Sequence, residues 1–403
     1  MIKIEDIESA IDNLQVLIIN QLKNGNQTKE LKDNFKDKNY FALGQFIYDT
    51  ERSQRGIHGS ASGLRVISDS TESTYISGLI EYITHRETIE NHLKPDESYV
   101  QRVKRDNKNI IKISEVLYSL SFVKPGNSPK DELYRILSEK LVQSFIEIDE
   151  NNKGWGYFEK DKEIQLFPTS FAYLVQTLNG INTKIIRSYL LKKAKEYDIN
   201  SPSSLAILSF VLYVLVKTEK NNQDKKDLKI IFNKIWKSNY CQLDDDIEQN
   251  IEYWHNSEHE YVRIPWQLYL ISSSLIVSPT KFFSSKVQER LNSAILQAKD
   301  KGLIYQHSGS KTSTRTNSIL YDNLIFIKTN YKNTFIYYIL YYYNNIIDIL
   351  GSKLVKYILI LIVSIVCSFS AYKWFQSGDS LKDIGGTFIT TILLSIFSFV
   401  KKK

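Results

Sequence analysis

Two apolar runs near the end of the sequence limit what this chain can fold into more than any other feature. Tyr357–Phe375 (YILILIVSIVCSFSAYKWF) contains one charge, Lys373, and Ile384–Val400 (IGGTFITTILLSIFSFV) contains none. As helices they would span about 28 and about 25 Å at 1.5 Å per residue. A bilayer core is about 30 Å thick, so the second run requires an upright pose or slight thinning. Tyr372 and Trp374 sit where interfacial aromatics belong, and the link QSGDSLKD is long enough only for a turn. The sequence therefore predicts a transmembrane hairpin over 351–403, with spans at 357–375 and 384–400. A pair of buried core helices is the alternative, and the lysine triplet after the second run argues against it.

Charge placement orients the hairpin. Lys353 and Lys356 precede the first span, and Lys401, Lys402 and Lys403 follow the second. The positive-inside rule then puts both chain ends in the cytoplasm. The first residues, MIKIEDIESAIDN, have no apolar signal region, so residues 1–350 are expected to be cytosolic. Heavy use of Lys, Asn, Ile and Tyr points to an AT-rich bacterial genome and so to a bacterial inner membrane. Net charge is +7 for the whole chain, and the seven lysines and two aspartates after Ser352 supply +5 of it. Basicity is thus mainly a topology signal, and no double-stranded DNA binding is expected. Two cysteines, Cys241 and Cys367, exclude a disulfide scaffold and a four-cysteine zinc site.

Residues 1–350 read as all-α. Strand signals are weak, and Asn-Gly or Asp-Gly hairpin turns do not recur. Pro168–Asn179 opens with Pro-Thr-Ser, and Phe171, Leu174, Val175 and Leu178 follow helical periodicity. Pro202–Val216 and Pro265–Val277 are apolar on all sides, the mark of helices buried all round. Amphipathic, lysine-bearing helices are predicted over Asn182–Tyr197, Asn222–Trp236 and Phe282–Lys299. Met1–Lys23 and Asn39–Thr50 would supply the first helices, and Phe335–Leu350 the last outer one. The buried helices start near Ser60, Ile110, Pro168, Pro202, Pro265 and Thr314, at an average spacing of about 50 residues, as in helix-pair repeats. Six buried helices alternating with six half-buried ones suggest an α/α toroid, with an open α-solenoid as the alternative.

The segment Lys153–Leu178 (KGWGYFEKDKEIQLFPTSFAYLVQTL) resembles the repeat of the terpenoid cyclase and protein prenyltransferase β-subunit superfamily, where Gly-Trp-Gly leads into a Leu-rich inner helix. Gly56–Val66 and Thr312–Leu324 resemble weaker copies. The first is also similar to the His-Gly start of lanthionine cyclases, another toroid family. The resemblance implies an α/α toroid whose ligand funnel is lined by inner-helix ends. Arg55, His58, Trp155, Tyr157, Trp254, Arg263, Trp266, His307 and Arg315 would lie there. The catalytic groups of these families are not matched. Asp244, Asp245 and Asp246 lack the Asp-x-Asp-Asp spacing of class II cyclases and read as a solvated acidic helix start. Neither cysteine has the Asp-x-Cys context of prenyltransferase zinc sites, and the Cys-His-Gly motif of lanthionine cyclases is absent. No cofactor is implied.

Other motifs compete. His255, Glu258 and His259 form His-x-x-Glu-His, the spacing of inverted zinc peptidases, which places two histidines on one helix face. The segment reads as a loop, and Glu260 and Glu289 are the only glutamates left to complete such a site. Arg86, Lys94, Arg102, Lys104 and Arg105 read either as a solvated surface or as an anion site for phosphate, nucleotide or oligonucleotide. In the second apolar run Thr387, Thr391, Ser395 and Ser398 form one hydroxyl stripe. Such stripes mediate helix packing in membranes. In a homo-oligomer they could instead line a pore, with Asp379 and Asp383 at its mouth favouring cations.

Three functions fit these features. In the first, a membrane effector of the kind used in bacterial antiviral defence, the helical domain senses a ligand such as a nucleotide second messenger and the hairpin oligomerises to permeabilise the membrane. The second is a membrane-bound enzyme acting on a prenyl or terpenoid substrate, and the third a membrane-tethered scaffold.

Overall fold

The computed structural model describes residues 2–23, 41–44, 57–92, 109–124, 126, 128–180, 183–219, 224–243, 249–255, 258–301 and 313–351. The chain divides into two units, Met1–Thr334 and Phe335–Lys403. Most described residues are helical, as the periodicity predicts. Among them, no helix is long and apolar enough to cross a membrane. Both predicted spans, the stripe Thr387, Thr391, Ser395 and Ser398, and the acidic run Asp244–Asp246 lie outside the described residues.

The first unit begins with α1 (Ile4–Lys23), α2 (Ile57–Ile67), α3 (Ser73–His92), α4 (Ile110–Leu120) and α5 (Ser128–Gln143). A two-residue strand pair, β1 (Ile146–Glu147) and β2 (Lys153–Gly154), leads into α6 (Leu166–Leu178). Then follow α7 (Lys184–Glu196), α8 (Pro202–Lys217) and α9 (Lys225–Trp236). After the strands β3 (Gln249–His255) and β4 (Glu258–Ile264) come α10 (Trp266–Val277), α11 (Pro279–Phe282), α12 (Ser285–Lys301) and α13 (Thr314–Gly351).

Local chemistry explains several boundaries. Ser201 caps α8 in a reciprocal capping box with Ser204, and Pro202 occupies the first turn, where its missing N–H costs nothing. Asn109 accepts from the amides of Ile111 and Lys112 at the start of α4. Nearly every side chain of α8 and α10 is buried. Each apolar side chain so buried contributes about 1.5–3 kcal/mol. Two serines within these helices bond to their own backbone, Ser209 to Leu205 O (2.8 Å) and Ser273 to Tyr269 O (2.7 Å), which satisfies their hydroxyls inside the core, whereas the buried Ser272 hydroxyl has no partner among the described residues.

The buried helices pack in chain order: α2 on α4, α4 on α6, α6 on α8, and α8 on α10. Half-buried helices back them, with α3 on α2, α5 on α4, α7 on α6 and α9 on α8. The helix α1 lies against α12 and α2. It is fastened to α13 through the Gln15 amide, which donates to Tyr321 Oη at 2.9 Å, and through Lys328, which pairs with Glu8 at 2.9 Å.

Three expectations need correction. The segment predicted as a helix over Asn39–Thr50 is not helical at Phe41–Gly44. There the backbone crosses α2 and α3, with Phe41 N bonded to Gly78 O (3.2 Å) and Leu43 N to Ser60 Oγ (3.1 Å). Gly59 permits that crossing, since a Cβ there would stand 2.3 Å from Gly44 O. A separate helix over Phe335–Leu350 does not occur: α13 runs through from Thr314, with no Gly or Pro to interrupt it before Gly351. Finally, the region read as a loop around His255 is an antiparallel hairpin of two seven-residue strands, β3 and β4.

Candidate functional site

The buried helices carry ionisable groups that are themselves buried, among them Arg65, Glu115 and Asp322. At the middle of α4, Glu115 is 6% exposed. His58 on α2 reaches it with Nδ1, Arg315 on α13 pairs with it at 3.3 Å, and Ser62 donates to it at 3.4 Å. Burial alone would raise this carboxyl, but the Arg315 guanidinium, His58 and Ser62 hold it down at about 2. The cluster borders a cavity of about 50 Å³, walled mostly by Phe167, Phe171, Leu174, Phe210 and Tyr269. Space of that size suits water rather than an organic ligand.

Deeper along α13, Asp322 pairs with Arg65 of α2 at 2.6 Å. The Arg65 guanidinium lies 3.6 Å from the centroid of the Phe122 ring, a cation–π contact. Burial opposes its charge, but Asp322 with lesser help from Tyr118, Tyr321 and Asp69 holds it protonated above the ordinary arginine range. At the end of α8, Lys217 Nζ donates to Tyr118 Oη at 2.6 Å and to Tyr213 Oη at 3.2 Å. Burial pushes Lys217 down to about 8, partly opposed by Asp322 and reinforced by Arg65. Burial likewise pushes both phenols well above their usual range. A second cavity, of about 430 Å³, opens beside this group. Its walls include Arg65, Lys217, Phe122, Ile276, Phe326 and Asn330.

The residues expected in the funnel take different roles. His58 and Arg315 meet at Glu115, which sequence reasoning missed. Trp155 is 1% exposed, and its indole donates to Leu141 O at 2.7 Å. Gly154 beside it leaves room for Thr169, whose hydroxyl would lie 2.6 Å from an added Cβ. In this segment the Gly-Trp-Gly run therefore anchors the entry to α6. Tyr157 is half-buried, accepts from Ile110 N at 2.8 Å through its carbonyl, and has its phenol pushed up by burial. Trp266 is buried, and its indole N–H has no partner among the described residues. Trp254 and Arg263 occupy hairpin positions paired with His259 and Asn250. Arg55 and His307 lie outside the described residues, as do Lys94, Arg102, Lys104 and Arg105. Arg86 falls within α3.

The peptidase-like motif loses its geometric basis. His255 pairs with Glu258 and Trp254 with His259 across two extended strands, so the i, i+4 helical spacing is absent. Among the described residues no group of three His, Cys, Asp or Glu side chains could hold a metal ion.

No protein-family model, curated protein or solved structure matches this chain.

Proposed function

We propose that the helical unit is a ligand-sensing α/α toroid and that the tail is a transmembrane hairpin through which a homo-oligomer permeabilises a bacterial inner membrane. The toroid reading is supported by the cavity near Glu115, to which α2, α4, α6, α8, α10 and α13 all contribute side chains. Packing of α1 beside α12, α2 and α13 favours it over an open solenoid, whose terminal helices would not meet.

The sensing reading rests on one observation, the cavity of about 430 Å³ walled by charged and aromatic groups. That volume lies within the roughly 300–1,000 Å³ typical of ligand pockets. The permeabilising step rests on the sequence of the tail alone. Its test is dye release from vesicles carrying the full-length protein. Leakage that disappears when Thr391 and Ser395 are both changed to Leu supports a pore. Leakage that survives reduces the hydroxyl stripe to helix packing, and a wild-type protein that never leaks overturns the effector reading.

The apolar walls of the cavity near Glu115 favour a prenyl-processing enzyme as a second reading. At about 50 Å³ that space is far too small for a prenyl chain, which places this reading behind the first. Retention of a defined product from an isoprenoid diphosphate would reverse the order.

A further inference from the structure

The larger cavity carries an imbalance that suggests what fills it. Buried charges in proteins are almost always paired. Around this space the carboxylates already have guanidinium partners: Asp322 holds Arg65, and Glu219 holds Arg187. Arg65 also has Asp69 at 3.6 Å and Arg187 has Asp224 at 2.7 Å. Lys217 is different. Its ammonium is held by two neutral phenols, and among the described residues no carboxylate lies within ion-pairing distance of it. An ammonium has three donors, and two are engaged. The same cavity wall is apolar elsewhere, through Phe122, Val216, Ile276, Ile325 and Phe326, with Thr329 and Asn330 alongside.

We propose that this cavity binds a small organic anion, a phosphate or carboxylate on an apolar or aromatic body, whose charged head pairs with Lys217 while its body lies against Phe122 and Phe326. This assignment rests on the reading of the helical unit as a ligand-binding module and names the chemistry of its ligand. Two sources supply such a molecule, a nucleotide or a short lipid phosphate. Phe122 can accept a planar base or an acyl chain, and Arg65 lies against one face of its ring. The groups facing Lys217 are Tyr118, Tyr213, Asp322 and Arg65, with Tyr269 and Glu219 nearby. An incoming anion would hold the lysine protonated, so binding would take up a proton at alkaline pH.

The test is titration calorimetry on the full-length protein in detergent. The probes are adenosine 5′-monophosphate and hexyl phosphate, with adenosine and hexanol as uncharged controls. At least one phosphate is expected to bind at least about tenfold more tightly than its uncharged counterpart, and which one binds identifies the source. Lys217→Met should weaken it about tenfold or more, and Lys217→Arg should retain most of the affinity. Thermal melting of Lys217→Met at or above the wild-type temperature would show that the loss is not unfolding. Affinity should fall about tenfold between pH 7 and pH 9, as a lysine near 8 loses its proton.

Equal binding of charged and uncharged probes, unchanged affinity in Lys217→Met, or no binding of either phosphate would overturn the assignment. Phosphate binding without any vesicle leakage would leave it standing and sink the effector reading. Leakage without phosphate binding would do the reverse.

Discussion

Replacing Glu115 by Gln removes one charge and almost no volume, so it isolates what the carboxylate does for the fold. In an unfolded chain this side chain titrates near 4.5, and in the folded unit it is held at about 2. Each pH unit of that displacement is worth about 1.4 kcal/mol, so Arg315, His58 and Ser62 favour the folded carboxylate by about 3 kcal/mol. The variant also leaves Arg315 without its carboxylate while only 18% exposed, and breaking a buried pair from one side costs about 3–5 kcal/mol. Glu115→Gln should therefore lower stability by about 3 kcal/mol near pH 7. In a unit of this size, with an unfolding entropy of about 2.1 cal/mol/K per residue, that is a fall of about 4 °C in melting temperature.

The sign with pH follows from linkage. A depressed carboxyl stabilises fully above its unfolded value and loses that stabilisation as pH falls through its folded value. The gap between wild type and variant should be complete above about pH 5 and close toward pH 2. Circular-dichroism melting of the full-length protein from pH 7 to pH 3 measures it. A gap below 1 °C at pH 7, or one that stays constant as pH falls, would refute the buried-pair reasoning.

Other outcomes follow from single contacts. Gly59→Ala should fail to fold or lose several degrees of melting temperature, because the new methyl meets the Gly44 backbone; a melt identical to wild type would show that the crossing strand gives way freely. Trp155→Phe leaves Leu141 O without its indole donor and should cost about 1–3 kcal/mol in denaturant unfolding, while a loss under about 0.5 kcal/mol would point to a replacement donor. Burial pushes the Cys241 thiol up to about 11. Its alkylation at pH 8, followed on its own peptide by mass spectrometry, should be roughly twentyfold slower than that of an ordinary cysteine after allowing for the greater intrinsic reactivity of a more basic thiolate. An ordinary rate would mean that the thiol is solvated.

The helices were legible wherever the apolar pattern was unambiguous. Pro202–Lys217 announces itself through Ser201, Pro202 and an unbroken apolar run, and α10 does the same. The hairpin was not legible, because its strands carry charges at several positions and the two-residue link is Asn-Ser rather than Asn-Gly. At Phe41–Gly44 a locally helical pattern loses to backbone bonds with α2 and α3, which only the tertiary structure reveals. The ionisable groups along the buried helices carry no motif that marks them: Arg65, Glu115 and Asp322 sit inside helices and Lys217 closes one. A charge at an apolar-face position of such a helix is a usable signal, because burial without a partner is costly: Arg65 and Asp322 pair across two helices, as do Glu115 and Arg315. Trp155, expected in a funnel, holds its place through an indole bond to the backbone.

The attachment of α1 to α13 has a consequence for how the protein is made. Gln15 and Tyr321 are 306 residues apart in sequence. At about 5–20 residues per second, the ribosome needs roughly 15–60 s to deliver the partner. Throughout that interval the apolar face of α1, with Ile7, Leu14 and Ile18, has neither α12 nor α13 to cover it. The nascent helix is therefore a natural client for a holding chaperone, and the arrival of α12 and then α13 is what releases it.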